Sequence, residues 1–266
     1  MSAHVTRLRP WLGALGLAIV LALGFAVVMP LSAQSVVDPT SIVDPLAVVP
    51  GPVPAVTFAT PTSTDAGDQQ PVDLEMGDFN NDGVRDAIVV TTQGGSKLQF
   101  LFGTGTGLLH SPALAVPYGT SVASGDFNGD GILDLAVPQT KSKTSPDPEC
   151  GTQPGTMIFL GTGGAAYTFK TCLVVPSTYL NEAVTGDFDK DGLLDLVVGT
   201  EKGAKLYLGN GEGLFKAGID LPVSNTSVGA PMFAVDIDRD GLLDVVAHVN
   251  GGVGVFRRVA GVWTFA

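Results

Sequence analysis

Four times along the chain, an aspartate-rich stretch gives way to an uninterrupted apolar run: Ala87-Ile88-Val89-Val90, Leu135-Ala136-Val137, Leu196-Val197-Val198 and Val245-Val246-Ala247. Runs this short, rich in β-branched residues and bounded by turn formers, predict buried strands. After the first three, a segment of alternating character ends in glycine turns: Leu98 to Gly105, Met157 to Gly163 and Leu206 to Gly211. Each predicts a second strand, with a third beginning just past the turn. The 35 glycines and 18 prolines beside 45% hydrophobic residues leave little room for long helices.

The polar stretches are copies of one another. Gly77-Asp78-Phe79-Asn80-Asn81-Asp82-Gly83-Val84-Arg85-Asp86 recurs as Gly125 to Asp134, Gly186 to Asp195 and Val235 to Asp244. The leading aspartates lie 48, 61 and 49 residues apart, and the longer middle interval holds a polar, proline-rich insertion, Thr140 to Gly155. A period near 50 with several strands per unit predicts a β-propeller or a β-solenoid, because one such unit cannot bury both faces alone. The propeller is the preferred reading: an all-β, propeller-like array of four repeated blades, either a small closed ring or an open, incomplete one.

Written as Asp-x-Asn/Asp-x-Asp-Gly-x-x-Asp, each copy places side-chain oxygens at positions 1, 3, 5 and 9. These are Asp78, Asn80, Asp82 and Asp86; Asp126, Asn128, Asp130 and Asp134; Asp187, Asp189, Asp191 and Asp195; Asp236, Asp238, Asp240 and Asp244. Position 7 (Val84, Ile132, Leu193, Leu242) offers a backbone carbonyl, and the glycine at position 6 allows the positive φ of a sharp turn. Several hard oxygens on a flexible loop suit Ca²⁺, whereas Mg²⁺ demands a stricter octahedron and zinc prefers His or Cys. A lone Asp-Gly segment also fits a plain Asx turn or hairpin. Repetition of the whole oxygen pattern in four copies favours the ion, since acids crowded this closely repel without a cation. About four calcium sites are expected, tighter in the two later loops, which carry four aspartates each. The EF-hand pattern is matched only in its first half, because position 12 is Val89, Val137, Val198 or Ala247 and not glutamate.

Residues 1–33 read as an export signal, with Arg7 and Arg9 ahead of an uncharged apolar stretch from Trp11 to Val28 and a cleavage site at Leu31-Ser32-Ala33. Left uncleaved, the same stretch would serve as an N-terminal membrane anchor. Residues 34–54, rich in Pro and Val, read as an extended linker, and 55–266 as the repeat domain. Loss of the signal removes two arginines and no acid, so the formal charge moves from −12 to −14, which excludes a nucleic-acid partner. Fourteen of the 26 acidic residues lie in the four loops, so four Ca²⁺ would bring −14 to −6. The two cysteines, Cys150 in the insertion and Cys172, are expected to pair outside the cytoplasm, a link worth about 3 kcal/mol in the chain-entropy picture.

With Gly-Asp-Phe-Asn-x-Asp-Gly-x-x-Asp and Leu208-Gly-Asn-Gly-Glu-Gly-Leu-Phe215 in view, residues from about Val56 to Ala266 resemble the FG-GAP/VCBS repeats, related to the integrin alpha-chain propeller. The resemblance implies propeller blades, calcium at the matching Asp and Asn positions, and a secreted, periplasmic or cell-surface protein serving adhesion or the binding of carbohydrate or protein. Two departures stand out: Val235 replaces the leading glycine of the fourth copy, and Phe256 to Gly261 replaces its glycine turn. Val56-Thr57-Phe58 and Val262-Trp263-Thr264-Phe265 both resemble outer strands, so one is redundant for closing a four-unit ring. An array left open would pair with another chain through exposed sheet edges.

No catalytic constellation accompanies the loops. His4 lies in the signal, His110 and His248 read as strand residues, and every clear carboxylate pair belongs to a loop. A binding or adhesion module is therefore expected, and not an enzyme. A calcium-rigidified spacer is the alternative, and a polysaccharide-acting enzyme a weaker one.

Overall fold

The structure is a computed structural model describing residues 70–92, 96–116, 119–140, 150–151, 153–175, 177, 179–223 and 225–266. The export segment, the linker, Val56 to Phe58 and most of the 140–155 insertion lie outside the described residues. Those described contain strands and no helix, hence no helix long and apolar enough to cross a membrane.

Among the described residues, seventeen strands form four separate antiparallel sheets, one per repeat. Blade 1 is β1 (Pro71–Gly77), β2 (Asp86–Thr91), β3 (Lys97–Gly103) and β4 (Leu108–His110), with β5 (Leu114–Ala115) also pairing β3. Blade 2 is β6 (Ala123–Gly125), β7 (Asp134–Gln139), β8 (Gly155–Gly161) and β9 (Tyr167–Val174). Blade 3 is β10 (Leu180–Gly186), β11 (Asp195–Thr200), β12 (Gly203–Tyr207) and β13 (Ile219–Asp220). Blade 4 is β14 (Val228–Val235), β15 (Asp244–Val249), β16 (Gly252–Val259) and β17 (Val262–Phe265). This is an all-β, propeller-like arrangement of four blades in which no sheet closes on itself. Val262 to Phe265 is the outer strand of blade 4 itself, so that blade is complete without a strand from elsewhere.

The apolar runs are the second strands, and β2, β7 and β11 are buried along their whole length. β7 and β11 are covered on both sides because blades stack face to face in chain order, whereas β2 meets blade 2 on one face and on the other groups Ala87 and Val89 with Leu101 and Leu108 of its own blade. One cluster joins blades 1 and 2 through Ile88, Val90, Phe100, Leu135, Met157 and Phe159. A second joins blades 2 and 3 and a third joins blades 3 and 4. Among the described residues no such cluster joins blade 4 to blade 1.

The first strand of every blade was not foreseen from the pattern. These strands are polar, short or interrupted: β1, β10 and β14 each carry a register irregularity, and Pro231 sits within β14. They face one another across a cavity of about 430 Å³ lined by β1, residues at β6, β10 and β14. Side chains on these strands bridge neighbouring blades. Asp73 accepts the Val122 amide at 2.9 Å, Glu75 accepts the Ser124 hydroxyl at 2.7 Å, Thr185 donates to the Ser124 carbonyl at 2.9 Å, and Glu182 accepts the Met232 amide at 3.2 Å.

Candidate metal centres

The four loops have one hydrogen-bond scheme. At position 6, Gly83, Gly131, Gly192 and Gly241 take φ of 84° to 87°, as the turn requires. Their amides donate to the position 1 aspartates Asp78, Asp126, Asp187 and Asp236 at 2.8 to 3.0 Å. The position 5 amides donate to the position 3 side chains Asn80, Asn128, Asp189 and Asp238 at 2.9 to 3.3 Å. The position 7 amides of Val84, Ile132, Leu193 and Leu242 donate to the carboxylates of Asp82, Asp130, Asp191 and Asp240 at 2.7 to 2.9 Å. These interlocking Asx turns bring positions 1, 3 and 5 together in loop 4, and positions 1, 3 and 9 in loop 3.

Position 4 also adopts positive φ, at Asn81, Gly129, Lys190 and Arg239. Asparagine and glycine tolerate this region, but lysine and arginine enter it at a cost, which the network around them must offset. The repeat pattern carries no fixed residue type there, so this strained position was not anticipated.

Position 9 is built into the blade. Asp86, Asp134, Asp195 and Asp244 are buried at the start of the second strand. One oxygen of each accepts the amide two residues past the loop's leading glycine or valine, from Phe79, Phe127, Phe188 and Ile237, at 2.8 to 3.1 Å. In the first three blades the other oxygen accepts the amide of Gly103, Gly161 or Gly209 at 2.8 to 2.9 Å. In the first blade the same Asp86 oxygen also accepts the Asn80 backbone amide at 3.2 Å, so position 9 ties the loop to the third strand through its own amide partners. Burial pushes the Asp134 carboxyl up to about 6, against the Gly161 and Phe127 amides that favour the charged form. Burial also raises Asp195 and Asp244, with the loop's other aspartates adding to it.

Loop 3 gathers Asp187, Asp189 and Asp195, and loop 4 gathers Asp236, Asp238 and Asp240, each set with carboxylate oxygens within 4.8 Å of one another. In loops 1 and 2 position 3 is the neutral Asn80 or Asn128, whose amide donates to Asp82 or Asp130 at 2.9 and 3.0 Å, so these loops carry one charge fewer. One oxygen of Asp187 is buried without any partner. A buried, unpaired carboxylate oxygen between two further carboxylates is costly unless a cation meets it, so the donor set of loop 3 fits a hard metal ion.

Each of the first three loops is clamped by the following blade. A Cβ on Gly77, Gly125 or Gly186 would lie 2.6 Å from a Cδ1 of Leu133, Leu194 or Leu243, so each glycine is a socket for a leucine of the next loop. Phe79, Phe127 and Phe188 are fully buried beneath the next blade, where Tyr167 bonds the Phe79 carbonyl and Phe215 and Trp263 pack on the other two rings. Loop 4 has Val235 for the glycine and Ile237, half exposed, for the phenylalanine.

Cys150 and Cys172 are joined, with Cα atoms 5.4 Å apart, so the expected disulfide pins the insertion to β9. His110 lies in β4 opposite Leu101, the register position of Phe169 opposite Phe159. Phe215 pairs Gly209, as Tyr167 pairs Gly161, so it corresponds to Tyr167. His248 lies exposed on β15 beside a hollow of about 350 Å³ that it shares with the half-exposed Tyr179 and with Asn181.

The FG-GAP-like repeat family profile matches residues 78–137 and 187–247, which span all four loops. Comparison with characterised proteins finds no sequence match. Solved structures do match, among them an Agrocybe aegerita lectin described by its specific recognition of non-reducing terminal N-acetylglucosamine. Identity to it is 18% and the TM-score 0.47, over 71% of this chain and 49% of the lectin, so the match spans about half of that protein's length. With one loop geometry recurring four times and the FG-GAP-like repeat profile found twice over those copies, the chain carries FG-GAP-like repeats, consistent with an FG-GAP/VCBS repeat protein.

Proposed function

We propose that the chain is a calcium-binding module that works outside the cytoplasm, its loops held rigid by Ca²⁺ so that the blades present fixed surfaces to a carbohydrate or protein ligand. The observation that carries the calcium is the unpartnered buried oxygen of Asp187 within the Asp187, Asp189 and Asp195 cluster, on a backbone scheme shared by all four loops. Calcium is the ion because every donor is a hard oxygen and neither cysteine is free. The disulfide and the FG-GAP repeats fit an extracellular or surface setting.

The ion is structural in this reading. It recurs in every blade instead of marking one special place, and among the described residues His110 and His248 lie on strands β4 and β15, outside the four loops. Recognition then belongs to surfaces between the rigid elements, such as the hollow where an exposed aromatic, Tyr179, meets neutral hydrogen-bonding groups. Calorimetric titration of the chelator-stripped chain with Ca²⁺, paired with melting in Ca²⁺ and in EDTA, tests the first half. About four ions and a higher Tm in calcium are expected; an unchanged Tm refutes it. A glycan array and pull-downs test the second half, where uniform silence leaves a calcium-rigidified spacer.

A further inference from the structure

Loops 3 and 4 carry the same four aspartates at positions 1, 3, 5 and 9, and by charge alone they would hold Ca²⁺ equally. Their surroundings differ. Loop 3 lies under the following blade, and its gathered aspartates, Asp187, Asp189 and Asp195, are all buried or half-buried. Among the described residues no ion pair reaches them. Arg258 crosses from blade 4 but ends on the Phe188 carbonyl, at 2.7 Å, and not on a carboxylate. In loop 4, Asp238 and Asp240 are exposed.

Two cations sit on loop 4. Arg257 of β16 places a guanidinium nitrogen 3.6 Å from an oxygen of Asp238, the donor at position 3. Lys190, at position 4 of loop 3, carries its ammonium across to loop 4, 3.2 Å from where a Cβ on Gly241 would stand. The equivalent glycines of the other loops, Gly83, Gly131 and Gly192, have no such neighbour within 4 Å. By register Arg257 matches Phe102, Leu160 and Leu208 of blades 1 to 3. Phe102 and Leu208 pack on the cores shared with the next blade, and Leu160 lies against Gly213 of the next blade's hairpin. In blade 4 the same position holds a long cation, which folds back onto its own loop.

We propose that Arg257, aided by Lys190, is a resident counter-cation of loop 4 that competes with Ca²⁺ for its carboxylates, so that loop 3 is the tight site and loop 4 a weak, exchangeable one. The proposal rests on calcium being the ion of the loops. A Ca²⁺ entering loop 4 must draw Asp238 away from Arg257 and approach two positive charges. In loop 3 it meets a buried oxygen of Asp187 that has no partner. Equal aspartate counts therefore do not give equal affinity, and loop 4 responds to calcium over a range in which loop 3 stays filled.

The test is calorimetric titration of the chelator-stripped full chain with Ca²⁺, for the wild type and for Arg257→Gln, Arg257→Lys, Asp189→Asn and Asp238→Asn. The Arg257 side chain is 40% exposed, so its variants should fold, and circular dichroism checks that each does. Asp189→Asn should weaken the tightest site and Asp238→Asn a weaker one, which assigns the two loops. Arg257→Gln should tighten the loop 4 site roughly fivefold and leave loop 3 unchanged. The gain should shrink in high salt, because the charges involved are exposed to solvent. Arg257→Lys keeps the charge and should stay close to the wild type, which a packing role for Arg257 would not produce. An Arg257→Gln variant with every site unchanged, or with a gain that high salt leaves intact, overturns the proposal. So does an Asp238→Asn variant that loses the tightest site; the calcium reading survives all three results. Absence of any Ca²⁺ uptake overturns that reading and the proposal with it.

Discussion

At position 1 of the third loop, Asp187 accepts the Gly192 amide through one oxygen and buries the other without a partner. Asparagine keeps the amide acceptor and removes the charge. Asp187→Asn should therefore weaken calcium binding at one site by roughly tenfold, about 1.4 kcal/mol, and lower Tm in calcium but not in EDTA, where one fewer carboxylate relieves repulsion. Titration calorimetry and paired melts read both; a loss of Tm in EDTA would mark Asp187 as a turn residue only. Position 9 behaves differently, because Asp134 holds the amides of Phe127 and Gly161 inside the blade. Asp134→Ala leaves both donors buried and unpaired and should cost about 3 kcal/mol, in EDTA as well as in calcium; a melt difference that vanishes in EDTA would count against this. The oxygens at positions 1, 3, 5 and 9 were legible in the sequence because side-chain identity carries them. The division of labour among them was not, since both groups are aspartates and only their amide partners separate them.

Between elements, the loops and the second and third strands could be read because their signals are local: an Asp-Gly turn, a β-branched run, a glycine hairpin. The first strands escaped because what holds them is remote, such as Asp73 on Val122 and Glu182 on Met232. The socket between Gly77 and Leu133 spans more than one repeat, so it is invisible to a scan of any single copy. The departures of blade 4 were visible as letters, but their meaning came only with the packing: Val235 is a filled socket and Arg258 a replaced close approach. In the other blades that close approach is strict. A Cβ on Gly161 would lie 2.5 Å from the Leu133 carbonyl oxygen and 2.8 Å from Ile132 Cγ2, and the carbonyl cannot swing aside as a side-chain tip can. Gly161→Ala should therefore cost about 2 kcal/mol or more through overpacking against backbone, measured by chemical denaturation. A neutral result would mean that blade 2 yields as freely as blade 4, where Arg258 holds the same register opposite Trp263.

At the scale of the whole array, β1, β10 and β14 and the residues at β6 bring Asp73, Glu75 and Glu182 to one cavity, none of whose lining residues belongs to the Asp-rich loops. Burial is the main reason the Glu182 carboxyl is pushed up to about 7; the Met232 amide opposes the shift, and Asp73 and Glu75 add to it. Burial raises Glu75 as well. A glutamate in the unfolded chain titrates near 4.5, so between about 4.5 and about 7 the folded state holds a proton that the unfolded state has released. Stability from this group is thus complete below 4.5, falls as pH rises through 7, and stays low above it. Glu182 is only half-buried, so after solvent screening the effect is on the order of 1 kcal/mol. Glu182→Gln keeps an oxygen for the Met232 amide and removes the charge. In excess calcium the variant should melt a few degrees above the wild type at pH 8 and converge with it at pH 5. Loop aspartates such as Asp134 titrate in the same range, but they are common to both proteins, so the difference between the two curves isolates Glu182. Parallel curves with no gap at pH 8 would show that the four inner strands meet in a cavity too wet to feel its own charge.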